Sequence, residues 1–240
     1  MRALPASAAL VALLSLTAGC TGSDDSPANP ETGDSRTSAT SAPTAPTGTP
    51  TTATATPSAS LSLIDRLLPT GEVPGLNAQW HWQDGETGPA VTEPFGFCAK
   101  ADLGSIGATE VFERSYFPPD DSDDNAAEQV AEFPDANTAA RAWAVLKSWH
   151  DRCASSVQED INLRARPLVP VPVTAGSGRW YLLSWQAANE ETGRFEAFGM
   201  VLNGTRIAVL RMDNSGQDYN YPAGQEPMVG MVTAAAGWLD

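Results

Sequence analysis

From residue 61 onward, apolar and polar positions follow two rhythms, one that of a helix and one that of a strand. The clearest helical stretch is FPDANTAARAWAVLKSWHDRCASSV, residues 133 to 157. Ala139, Trp143, Leu146, Trp149 or His150, and Cys153 recur there at steps of three and four, and Ala142 and Val145 widen the stripe. Asp135 and Asn137 stand where an N-cap is needed. A second helix is predicted over about Glu226 to Leu239, with Met228, Met231, Val232, Ala235 and Trp238 along one side. Strands fill most of the rest. NAQWHWQD alternates, setting Trp80 and Trp82 opposite Gln79, His81 and Gln83. EQVAEF leads into the first helix and VQEDINLRAR follows it. RWYLLSWQA and RFEAFGMVL make a pair, and Asn203-Gly204 marks a hairpin between FGMVL and RIAVLRM. The expected fold is α+β: one domain over residues 61–240, a mainly antiparallel sheet packed against helices.

Before residue 61 the pattern stops. Residues 21–60 hold 11 Thr, 7 Ser, 7 Ala and 6 Pro, with no aromatic, Leu, Ile, Val or Met. Such a stretch cannot bury enough apolar surface to offset the entropy of ordering, which predicts a disordered tether spanning roughly 35 to 40 Å. Ahead of it, Arg2 and the apolar run Ala3 to Leu16 read as an export signal over residues 1–19, too short for a membrane-spanning helix. LTAGC resembles the lipobox of bacterial lipoproteins, with Thr17 where leucine is usual. That resemblance implies cleavage before Cys20, a diacylglycerol on its sulfur, and a domain held on the outer face of the cell membrane.

Composition narrows the chemistry. The formal net charge is -15, which disfavours nucleic acid and anionic lipid head groups as partners. Two histidines and three cysteines are a thin supply for a metal site or a nucleophile and base. With Cys20 acylated, Cys98 and Cys153 remain as an even pair in an exported chain, which favours a disulfide. Asp121, Asp123, Asn125 and Glu132 match positions one, three, five and twelve of a calcium loop, but Ala126 replaces the glycine the sharp turn needs. Two prolines before these acids indicate an ordinary solvated loop and no metal site. LGSIGA and AGSGR carry serine between glycines without forming a nucleophile elbow, so no catalytic residue is assigned.

The segments LIDRLLPTGEVPGLN and VAEFPDANTAARAWAVLKSWHDRC, with a cysteine between them, are similar to the exported sensor domain of PknH-type bacterial serine/threonine kinases and related lipoproteins. The resemblance implies a sheet and helices around a cleft, no cofactor, and binding of an unidentified cell-envelope ligand. In that family Cys98 and Cys153 match a first disulfide, and the later second pair is missing here.

Three functions follow as expectations: a membrane-anchored sensor-like binding domain, an accessory lipoprotein that binds another envelope protein, and a cell-wall hydrolase. Aromatic residues are the lead for the first. Trp80, Trp82, Tyr116, Trp180, Tyr181, Trp185, Tyr219 and Tyr221 exceed what one helix needs to cover it, although most such residues fill cores. Tyr219 and Tyr221 lie in the turn-rich SGQDYNYPAG, and with Trp80 and Trp82 they are the ligand-binding candidates.

Overall fold

Asp135 caps the first helix, α1 (Ala136–Cys153), accepting the Thr138 N–H at 2.8 Å. Asn137, the other candidate cap, lies inside the helix. The computed structural model describes residues 61–155, 161–188, 190–216 and 220–240, all within one unit, Thr56–Asp240. The signal, Cys20, the tether and Tyr219 therefore lie outside the described residues.

An eight-stranded antiparallel sheet organises this unit. Its strands are β1 (Gln83–Pro89), β2 (Glu110–Phe117), β3 (Asn125–Glu132), β4 (Arg164–Ala165), β5 (Val169–Val171), β6 (Ser177–Trp185), β7 (Gly193–Asn203) and β8 (Arg206–Gly216). The order is β1-β2-β3-β8-β7-β6-β4, with β5 also on β6, so β8 returns to the middle beside β3. A helix covers each face. Ile207 and Val209 of β8 point to α1, whereas Ala208, Leu210 and Met212 point to α2 (Pro227–Trp238). Burial on both faces is why RIAVLRM reads as an apolar run and not as an alternation.

On the α1 face, Ala139, Ala142, Trp143, Leu146, Trp149, His150 and Cys153 are buried, which is the predicted stripe with both Trp149 and His150 inside it. Trp143 and Trp149 are core anchors. His150 donates its Nε2–H to the Arg166 carbonyl at 2.9 Å and packs on Tyr181, ring centroids 4.5 Å apart. It is a structural helix-end residue. On the other face, Met228, Met231, Val232, Ala235 and Ala236 of α2 meet the sheet. Gly199 makes that seat possible, because a Cβ there would lie 2.5 Å from Met228 Sδ and 2.6 Å from Val232.

One expected strand is corrected, and the expected hairpin is present. NAQWHWQD is not a strand before Gln83: Trp80 and Trp82 lie in irregular chain, packed edge to face at 5.4 Å. In the hairpin, Asn203 pairs with Arg206, so Gly204 and Thr205 form the turn, with Gly204 at φ +59°. Of VQEDINLRAR, residues 156–160 lie outside the described residues, and the remainder supplies a bridge at Ile161 and the short β4. The calcium-loop match dissolves for a geometric reason. Its positions five to twelve, Asn125 to Glu132, run straight as β3, and Glu132 pairs with Arg206 at 2.9 Å.

Candidate functional site

The register of β6, β7 and β8 sets Leu182, Ala197 and Met212 side by side, with Trp180 and Asn214 flanking them on the α2 face. Ala197 is small, so the floor dips there. The start of α2 closes one side through Pro227 and Met228, and β4 to β5 closes the other through Arg166, Pro167 and Val169. Leu76 and Tyr221 form a third wall, fixed by a hydrogen bond of 2.7 Å from the Tyr221 hydroxyl to the Leu76 carbonyl. The groove measures about 400 Å³ and is mostly apolar. One polar atom stands out. The Nδ2 of Asn214, a residue of the lining, is buried without a hydrogen-bond partner.

The aromatic candidates separate. Tyr221 lines the groove and is joined there by Trp180. Trp82 is buried and donates its indole N–H to the Pro74 carbonyl at 2.9 Å, while Trp80 is half-buried against the same core. Neither tryptophan lines the groove, because both are packed into the core on that face. Tyr116 and Tyr181 are core residues as well. Cys98 and Cys153 form a disulfide with Cα atoms 5.2 Å apart, tying the loop before Leu103 to the last turn of α1.

Two buried glutamates were not singled out from sequence. Each pins a segment outside the sheet onto it. Glu128 of β3 accepts the Leu68 N–H at 2.6 Å, and its Oε2 lies 3.2 Å from the Tyr116 hydroxyl. Burial pushes its carboxyl up to about 7, against the opposing pull of the Leu68 N–H, Tyr116 and Arg114. Glu196 of β7 accepts the Phe97 N–H with both oxygens, at 3.0 and 2.9 Å. Burial, and then repulsion from Asp213, push it up to about 8, against Phe97 and Arg211. Burial also raises Asp213 to about 6, opposed by Arg211, whose Nε lies 2.8 Å from it. A signal for Glu196 existed in the sequence: a lone carboxylate inside the apolar strand RFEAFGMVL.

No protein-family model and no curated protein matches this chain. Among solved structures it is similar to the crystal structure of the extracellular domain of PknH from Mycobacterium tuberculosis. The TM-score is 0.49 at 14% sequence identity, over 70% of this chain and 92% of that one.

Proposed function

We propose that this protein is a non-catalytic, sensor-like binding module displayed outside the cell membrane. A lipid on Cys20 holds it there, and residues 21–60 stand between anchor and domain. The groove on the α2 face receives an envelope ligand with an apolar body and an uncharged hydrogen-bond acceptor. The single observation that carries this reading is the groove itself: about 400 Å³ of mostly apolar lining that includes Asn214, whose buried Nδ2 has no hydrogen-bond partner. The Cys98–Cys153 disulfide supports an oxidising compartment. Tyr221 and Trp180 are the aromatic residues assigned to the ligand, and Tyr219, two residues before Tyr221, is proposed to join them.

Thermal-shift screening of the intact protein against envelope lipids and their ester fragments tests the binding. A saturable rise in Tm that Ala197→Leu abolishes, by filling the floor, is the expected result. The absence of any saturable shift would remove the reading. Mass spectrometry of membrane-fraction protein checks the anchor, where an acylated Cys20 at the mature amino terminus is expected.

A further inference from the structure

On the α1 face, at the opposite side of the same strands, the sheet carries a second concavity of about 360 Å³ with different chemistry. Register builds it as two neighbouring rows. One row runs Asn125, Asp213, Glu196 across β3, β8 and β7, and the other runs Ser215, Arg194, Trp185 across β8, β7 and β6. Neighbours within a row are spaced at the strand separation of about 5 Å. Above the rows the loop before Cys98 brings Phe97 onto Trp185, centroids 4.6 Å apart and planes tilted by 34°. That loop is held in place twice, by the disulfide and by Glu196.

We infer that this concavity is a binding site for a neutral saccharide. Half-buried aromatic rings, Phe97 and Trp185, border a flat array of donors and acceptors, which is what a sugar presents in reverse: one apolar ring face and a rim of hydroxyls. Charge favours a neutral ligand. Arg211 is already within 2.8 Å of Asp213, Arg194 lies 3.6 Å from Glu190, and Asp123 at the mouth repels anions. The mostly apolar groove on the other face suits such a ligand less, since most of its hydroxyls would lose water without gaining a partner. Hydrolysis is not part of the assignment. Two carboxylates must flank a scissile bond, but Glu196 is buried with both oxygens engaged by Phe97 and Asp213 is held by Arg211, which leaves only Asp123 among the carboxylates lining the concavity.

The test is titration of the intact protein with mannotriose, chitotriose and cellotriose, followed by tryptophan fluorescence and calorimetry. At least one trisaccharide should saturate the signal. Trp185→Ala and Arg194→Ala should each weaken binding tenfold or more. Arg194 is exposed, so its variant should keep the parent Tm and remain interpretable should Trp185→Ala fold poorly. Ala197→Leu, which fills the opposite groove, should leave saccharide binding intact. No saturation with any of the three sugars overturns the inference. Binding that survives Arg194→Ala, or that is lost in Ala197→Leu, overturns it too. Because the lipid screen reads the other face, either site can fail without the other.

Discussion

The two faces of the sheet use one device and reinforce it differently. On each, a stretch of chain outside the sheet is fastened by a buried glutamate that accepts a backbone N–H: Leu68 on the α2 face, Phe97 on the α1 face. On the α1 face the fastened loop is also covalently joined to its helix through Cys98 and Cys153. On the α2 face the strap, residues 61–76, has hydrogen bonds alone beyond its apolar contacts. Arg114 donates to the Leu68 carbonyl at 2.8 Å, and Arg66 reaches the carbonyls of Trp238 and Asp240. Helix ends follow the same division. Asp135 caps α1 with its side chain, whereas Glu226 makes no such bond to α2, which instead starts with Pro227. The apolar groove lies on the face without the covalent tie, where walls can shift at low free-energy cost.

Removing the tie should give the largest effect. Cys98→Ser with Cys153→Ser opens a loop with a sequence separation of 55, and should cost about 4 kcal/mol in chemical denaturation. A loss below about 1 kcal/mol would mean that noncovalent packing already secures both faces equally. On the untied face, Met231→Ala removes a fully buried side chain beneath α2 and should cost about 3 kcal/mol. Denaturant midpoints of the two variants, read side by side, rank covalent against packing reinforcement.

Next in size is pH. Burial raises the folded-state pKa of Glu128 to about 7 and of Glu196 to about 8, both from an ordinary 4.5. A folded chain that holds protons more tightly than the unfolded chain gains stability below the unfolded value, and loses it as pH rises through 7 and 8. Tm should therefore fall from about pH 5 to pH 9. Glu196→Gln and Glu128→Gln should each flatten that slope, and Tm measured across the range checks it. A slope unchanged in both would show that neither carboxyl keeps its proton. Asp135→Ala should be the smallest change, about 1 kcal/mol, with helix fraying confined to α1.

How much of this could be read from sequence depended on whether a residue's environment is local. The α1 stripe was legible because one helix face meets one core, so period and burial coincide. The β6 to β8 strands were legible from their apolar runs. β1 was not: QDGETGP is polar on both sides and exists as a strand because β2 supplies its hydrogen bonds. Trp80 and Trp82 misled for the converse reason, since alternation alone does not separate a strand from irregular chain that buries every second ring. The groove left no local trace. Leu76, Trp180, Ala197, Met212, Tyr221 and Met228 converge from six separate segments, and sheet register decides which of them share a floor.

The strap beginning at Leu61 has a mechanical corollary. Any tension carried by the residues ahead of it reaches Leu68 and its hydrogen bond to Glu128 before it reaches a strand of the sheet. Pulling from the amino terminus in an optical trap should release the strap as an early, low-force step, distinct from rupture of the sheet. Leu76 would move with it, so stretching the molecule and opening its groove would be a single event.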